Sequence, residues 1–398
     1  MPSEITERTN RIPKKGLLQN TIIQELETRL ERDLNYSSGK ILCSMCTNPH
    51  SFAKQIYRKY LEKNLGDPSL FPSSTKLEQE TISMLGSLLS NSQASGNIVS
   101  GGTEANIIAL WAARNLAKKG NGEVIVPVSA HYSFDKASDL LNLKLIKIKL
   151  NNYYQIDLKA AEKAITPKTV AIVGMAGSTG LGVVDPIREL SEIASKNGIH
   201  LHVDAAFGGF VLPFLKELGY KPLDFDFRLP NVSSITIDPH KMGLAPIPAG
   251  GILFRTIEMR EAISMKVPYL AEGEMNHSTF LGTRSAASTL AVWALLKHLG
   301  RAGYVAVVER CLRLTWRLVD GIQKIDGLGI VTEPTMNIVG VKSDTVDISL
   351  VFKELRKRGW AVSLFHNYLR IVIMPHTKLS HIKSFLEDLE IMLKKLRT

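Results

Sequence analysis

From about residue 97 the hydrophobic positions alternate between two regimes. Short runs rich in β-branched and aliphatic residues, all but 143–150 free of Lys, Arg, Asp and Glu, predict strands at 97–100, 124–128, 143–150, 170–175, 200–203 and 235–237. Between them, apolar residues recur at helical spacing and predict helices over 102–118, 134–141, 158–165 and 186–196. Such alternation specifies an α/β fold, a mostly parallel sheet covered by helices on both faces. A further strand at 250–255 follows Lys241 too closely for a helical crossover, so it must pair antiparallel.

Upstream, 17–34 sets Leu18, Ile22, Ile23, Leu26 and Leu30 along one side of an amphipathic helix that needs something to pack on. Residues 1–17 are expected to be held loosely. A second helix is expected over 49–65, ended by Gly66-Asp67-Pro68. A third is opened by Ser74, where Ser74-Thr75-Lys76-Leu77-Glu78 has the form of a capping box. After Arg284, helical stretches at 286–299 and 304–325 lead into a strand–helix–strand–helix tail (336–341, 348–358, 369–374, 379–396), a small α+β unit. The expected division is an N-terminal segment 1–48, a large domain 49–300 and a small C-terminal domain 301–398.

Composition narrows the class. With 44% hydrophobic and 22% charged residues, the chain is an ordinary globular one. It has no apolar run long enough to span a bilayer and no apolar leader, so a cytoplasmic enzyme without a membrane partner is expected. The net charge of +11 is scattered rather than gathered in a stripe, which argues against nucleic acid and accommodates an anionic cofactor or substrate. Three cysteines make no disulfide framework. Cys43 and Cys46 form a C-x-x-C without the second pair a zinc site needs, and no metal is expected.

The chemistry gathers at predicted strand ends. Ser234-Ile235-Thr236-Ile237 stops at Asp238-Pro239, because proline restricts the residue before it and lacks an N–H. Lys241 therefore stands beyond the carboxyl end of a strand, where open α/β sheets bind ligands. Set among Pro239, Met242 and Pro246, its amine is expected to have a lowered pKa and to suit Schiff-base chemistry. Alone it would read as a surface lysine, so the other strand ends matter. Ser100-Gly101-Gly102-Thr103 opens a helix after a strand. Its glycines allow close backbone approach, and the free N–H groups and the Thr103 hydroxyl suit an anion. It matches neither a Walker loop nor a dinucleotide fingerprint. Asp204, before Ala205 and Ala206, could pair with a charged heterocycle nitrogen such as that of pyridoxal phosphate, with Ala206 leaving room for a ring. His131 could stack on such a ring, and Gly177-Ser178-Thr179-Gly180 offers hydroxyls.

These stretches resemble the group II pyridoxal-phosphate-dependent amino-acid decarboxylases, of fold type I, through S-G-G-T-E-A-N, A-H-x-S, H-V-D-A-A-F-G-G and D-P-H-K. The similarity runs from about Ile41 to the last helix. Within the group the chain most resembles the archaeal L-tyrosine/L-aspartate decarboxylases, through Ser44-Met45-Cys46, Asn64-Leu65-Gly66-Asp67, the stretch through Lys241-Met242-Gly243, and Leu369-Arg370-Ile371-Val372-Ile373-Met374-Pro375-His376.

The resemblance implies that Lys241 carries pyridoxal 5'-phosphate, that Asp204 pairs with the pyridine nitrogen and that His131 stacks on the ring. It implies that Gly102, Thr103 and His240 bind the phosphate, that Thr179 lies near the phenolic oxygen and that Arg370 binds the substrate α-carboxylate. Thr283, in Gly282-Thr283-Arg284-Ser285, matches a segment that reaches the neighbouring subunit's phosphate site. A homodimer with shared active sites is thus implied, with each N-terminal helix laid on its partner.

The implied reaction is α-decarboxylation of an L-amino acid. Tyrosine would give tyramine for methanofuran biosynthesis, aspartate would give β-alanine for coenzyme A biosynthesis, and glutamate is a third candidate. The animal aromatic-amino-acid enzymes carry a tyrosine in the mobile loop matching 270–281. This chain has none there, leaving His277, Tyr269 or Lys241 to protonate Cα. Other readings are a sphingosine-phosphate-lyase-like enzyme on the same fold, a cysteine desulfurase (against which Cys311 falls in a helical stretch), and a basic binding protein without activity.

Overall fold

The structure is a computed structural model in which residues 12–118 and 120–397 are described. Positions 1–11, most of the segment expected to be held loosely, lie outside the described residues. The large domain is built on a seven-stranded sheet: β1 Ser95–Val99, β2 Glu123–Pro127, β3 Lys144–Ile148, β4 Thr169–Met175, β5 His200–Asp204, β6 Val232–Ile237 and β7 Gly250–Phe254. Their order across the sheet is β1-β7-β6-β5-β4-β2-β3. In this sheet β7 pairs antiparallel with both β1 and β6, as its short connection requires, and the other pairings are parallel.

The helices are α1 Gln19–Leu30, α2 Ser51–Lys59, α3 Pro72–Leu88, α4 Gly102–Ala117, α5 Ser133–Leu141, α6 Leu158–Lys163, α7 Ile187–Asn197, α8 Ile257–Glu261, α9 Ala286–Ile322, α10 Ile348–Lys357 and α11 Leu379–Arg397. One face of the sheet meets α4, through Ile107 and Leu110 against Val124, Val126 and Val173, and through Ala105, Ile108 and Ala112 against Val99, Ile252 and Phe254. The other packs Leu201, Val203, Ile235 and Ile237 into a core that includes Ile187, Leu190 and Ala194 of α7. Both faces are closed to water, so every residue of β5 and β6 is buried, including the polar His200, His202, Asp204, Ser234 and Thr236. The β5–β6 register shifts between Leu201 and His202: Leu201 is opposite Val232, but His202 is opposite Ser234.

A hairpin, β8 Met265–Leu270 and β9 Gly273–His277, stands apart from the sheet and is largely exposed. The small domain carries an antiparallel sheet of β10 Leu328–Ile330, β11 Ile338–Ser343, β12 Ser363–Phe365 and β13 Tyr368–Val372, in the order β10-β11-β13-β12. Its core joins Leu318 and Ile322 of α9 to Val341, Val351, Leu355, Trp360, Ile371, Phe385 and Leu389.

Four features differ from expectation or extend it. Helix α3 begins at Pro72, not at Ser74: proline suits the first helical position, where no N–H bond is required. Ser74 is buried inside the helix, and Glu78 turns to Ile98 and Arg284 instead of capping. The two late helices join as one element, α9, broken at Gly300, whose φ of 55° glycine adopts without a side-chain clash. That element crosses the expected boundary at residue 300. Helix α1 buries none of its residues in this chain. The segment after it returns to the small domain, where Leu42 N–H donates to Ala361 O (2.8 Å) and Val372 N–H to Leu42 O (2.8 Å). Among the described residues, no helix is long and apolar enough to cross a membrane.

Glu78 ties α3, β1 and the approach to α9 together. Its Oε1 accepts from Ile98 N–H (2.9 Å) and from Arg284 Nη1 (2.6 Å), and its Oε2 accepts from Arg284 Nη2 (3.1 Å). Glu78 is buried and Arg284 nearly so, so removing one leaves a poorly compensated charge at the edge of the interior. Glu78→Ala is expected to lower stability by about 3–5 kcal/mol, read from the shift of the denaturant unfolding midpoint.

Candidate active site

Five strand ends converge on a cavity of about 320 Å³ whose lining includes Gly102, Thr103, His131, Thr179, Asp204, Ala206, His240 and Lys241. Lys241 follows β6 by four residues, and its Nζ lies 3.0 Å from Asp238 Oδ2. Burial by itself lowers the lysine pKa, the direction expected from the sequence. Here the negative charges of Asp238 and Asp204 outweigh it, and the ammonium is held above its ordinary value. The expectation of a lowered pKa is thereby corrected. It failed because Asp238 was read as the end of a strand and not as the lysine's counter-charge.

Helix α4 points its start at the cavity with no side chain capping it, so its first N–H groups are free for an anion. Gly102 is required by approach: a Cβ there would sit 2.8 Å from Asp238 Oδ2. His240 stands beside Gly101, with its Nε2 3.6 Å from Asp238 Oδ2 and its buried Nδ1 without a partner. Burial lowers the His240 pKa, opposed by Asp238, so the ring is biased to its neutral form. Asp238 Oδ1 is likewise buried and unpartnered. Orphaned groups beside a free helix start are what a polar ligand would satisfy.

Across the cavity, Asp204 Oδ1 accepts from Ala206 N–H (3.0 Å) and Oδ2 from Asn106 Nδ2 (2.9 Å). His131 has its pKa lowered by burial, against the pull of Asp204. Its Nδ1 accepts from Ser133 N–H (3.3 Å), which leaves the proton of the neutral ring on Nε2.

The chain matches the family described as "Pyridoxal-dependent decarboxylase conserved domain" over residues 4–343. It belongs to that family. It is 50% identical over 384 residues to the L-aspartate decarboxylase of Thermococcus kodakarensis, covering 96% of this chain and all of that one. It is 49% identical over 359 residues to the probable L-tyrosine/L-aspartate decarboxylase of Methanothermobacter thermautotrophicus, covering 90% and 98%. Among solved structures, the sphingosine-1-phosphate lyase of Burkholderia pseudomallei superposes with a TM-score of 0.91 at 28% identity, over 97% of this chain and 93% of that one. The protein is a fold-type-I, pyridoxal-phosphate-dependent carboxy-lyase acting on an amino acid. The residues present fit that cofactor: a free helix start with room for a phosphate, orphaned polar atoms, a carboxylate across the cavity and a lysine between.

Three of the site residues expected from the sequence stand outside this lining. Arg370 is buried on β13, where Nη1 donates to Thr179 O (2.9 Å) and Nη2 to Cys43 O (2.7 Å) and Ser363 Oγ (3.0 Å). It has no carboxylate partner among the described residues. His277 ends β9 and lines a separate cavity of about 70 Å³ with Arg260 and Arg284, and Thr283 lies beyond it. Other residues of the site went unassigned in the sequence: Asp238, Met45, Tyr132, Phe207 and Asn106 all line the cavity. Asn106 and Asp238 stand inside the motifs quoted, and only their side-chain contacts reveal their place.

Behind Asp204 lie two buried histidines whose protonation costs stability. Burial pushes His200 down to about 4 and His202 to about 3, the latter also opposed by His200. Unfolded, both titrate near ~6.5, so below that pH the unfolded chain binds more protons and stability falls. His200 alone is expected to remove on the order of 3 kcal/mol by about pH 4. Unfolding midpoints measured from pH 7 to 4 check this, and His200→Gln should flatten the slope.

Proposed function

We propose that this decarboxylase removes the α-carboxylate of L-aspartate, giving β-alanine and carbon dioxide, and accepts L-tyrosine as a second substrate. Supporting the reaction is the placement of Lys241 between Asp238 and Asp204, opposite a free helix start. Supporting the substrates are relatives at about half identity, one named for aspartate and one for tyrosine and aspartate. Arg370, buried without a counter-charge and with Nε unpartnered, is the cation we assign to the substrate α-carboxylate.

Bound pyridoxal phosphate supplies the electron sink for the pair left when carbon dioxide departs. Gly102, Thr103 and His240 would hold its phosphate, Thr179 would stand near its phenolic oxygen, and Asp204 would pair with its pyridine nitrogen. His131, neutral, offers a ring face and a proton-bearing Nε2 to the cavity. The Cα–carboxylate bond breaks heterolytically, and Cα then takes a proton. Of the three candidate donors only Lys241 lines the cavity of its own subunit. Tyr269 is 82% exposed on the hairpin. Lys241, whose ammonium two carboxylates keep charged, would be the proton source in this reading.

A homodimer completes the picture. Leu18, Ile22, Ile23, Leu26 and Leu30 are all exposed on one chain, and Thr283 has no part in its own cavity. A second copy related by a two-fold axis would cover the first and use the second. Mixing inactive Lys241→Ala with an inactive Thr283 variant should then restore activity through hybrid dimers. A fully active monomer in sedimentation would exclude the arrangement.

Lys241→Ala is expected to abolish both turnover and the visible absorbance of lysine-bound cofactor. Thr103→Val should weaken cofactor binding by about 1–3 kcal/mol, measured by equilibrium titration of the apoenzyme. Purified enzyme offered a panel of L-amino acids should release β-alanine fastest. Tyramine as the sole product, or no amine from either substrate, would overturn the assignment.

A further inference from the structure

Asn106 uses every hydrogen bond its amide can make, and all four lie beneath the cavity. Its Nδ2 donates to Asp204 Oδ2 (2.9 Å) and to Ser133 Oγ (2.9 Å). Its Oδ1 accepts from Thr236 Oγ1 (2.7 Å) and meets His202 Nε2 at 3.0 Å. An amide offers two donors and two lone pairs, so no valence is left. The carboxylate only accepts, which fixes the amide's orientation, and Oδ1 can then only accept.

From there the proton positions follow along the chain of contacts. His202 must donate from Nε2. Buried and neutral, with its pKa pushed down to about 3, it therefore accepts at Nδ1. Ser234 Oγ, 2.8 Å from that nitrogen, supplies its hydroxyl proton and in turn accepts from His200 Nε2 at 2.8 Å. Five polar side chains from α4, β5 and β6 thus donate in one sense, His200 to Ser234 to His202 to Asn106, with Thr236 joining at Asn106, toward Asp204. The second Asn106 donor holds Ser133, whose backbone N–H fixes the His131 ring.

We propose that Asn106 and His202 are positioning residues. They hold the Asp204 carboxylate and the His131 ring in the relative arrangement that grips the pyridine ring and keeps its nitrogen protonated. The inference rests on the reading of Asp204 as the partner of that nitrogen. A polar network serving stability alone would need no connection to the cavity. This one ends on the two side chains assigned to the edge and the face of the ring.

The test compares variants of nearly equal volume that differ in the donor. Asn106→Leu and His202→Phe remove it, whereas His202→Gln keeps an N–H for Asn106. The readouts are the dissociation constant of pyridoxal phosphate from each apoenzyme, the ¹⁵N shift of the ring nitrogen in bound labelled cofactor, and the thermal midpoint of the apoenzyme. Expected are a dissociation constant raised about tenfold or more and a ring nitrogen moved toward its unprotonated shift in His202→Phe and Asn106→Leu, with His202→Gln near wild type. kcat should fall while KM stays within about twofold. If the two His202 variants bind and protonate the cofactor equally well and differ only in thermal midpoint, the network is structural and the inference is overturned. Should Asn106→Leu fail to fold, the His202 pair decides by itself. Asp204→Asn separates the two ideas: an unchanged ring-nitrogen shift there defeats the role given to Asp204. A changed shift there with none in His202→Phe defeats only the positioning role.

Discussion

One ammonium among buried carboxylates governs the site. Lys241 lies against Asp238, which is almost fully buried, and feels Asp204 across the cavity. In an interior of low dielectric, neither acid is tolerable without the cation, nor the cation without the acids. The geometry that brings them together is therefore costly to change. β5 and β6 must end side by side, Asp-Pro must stop β6, and Gly102 must lack a side chain so that α4 can begin within reach of Asp238. The helix start then adds its own partial positive charge on the side where an anion is needed.

Much of this was legible in the chain, and the reasons are physical. The strands of the large sheet are short apolar runs between helical patterns, so their identities and the antiparallel sense of β7 could be read directly. The residues facing the cavity sit at strand ends, where position alone suggests a role, and Lys241, Asp204, His131, Thr103 and Thr179 were found that way. What could not be read was pairing. Asp238 marks a strand end in the sequence, and its charge reverses the expected direction of the lysine pKa. Asn106 looked like one more residue of a helix. The three-residue strands β10 and β12 are too short to show a period, and the β8–β9 hairpin mixes charge with apolar residues in no regular order. A signal for the network did exist. A strand buried on both faces should be apolar throughout, yet His200, His202 and Asp204 alternate with Leu201 and Val203, and Ser234, Thr236 and Asp238 alternate with Ile235 and Ile237.

The sphingosine-1-phosphate lyase at a TM-score of 0.91 shares the scaffold at 28% identity, while the relative named for aspartate decarboxylation shares half the residues. A common scaffold with different named substrates is expected when the fold supplies strand ends and the side chains there supply the chemistry. In this chain Met45 borders the cavity from outside the large sheet, on the segment that precedes α2.

The register shift between β5 and β6 carries a consequence for how this gene can vary. Ser233 is the extra residue there, and its Oγ takes up the Leu201 N–H at 3.3 Å. It puts Ser234 opposite His202 and Thr236 opposite Asp204, so that the polar residues of both strands share one face. Losing one codon in this strand would bring the two alternations out of phase. Two hydroxyls and a carboxylate would turn into the aliphatic layer, while Ile235 and Ile237 would turn toward Asn106. At about 1–3 kcal/mol for each buried group left without a partner, that deletion consumes much of a domain's net stability. A single substitution along β6 changes one side chain's contacts, whereas a change of its length changes the facing of every residue beyond it.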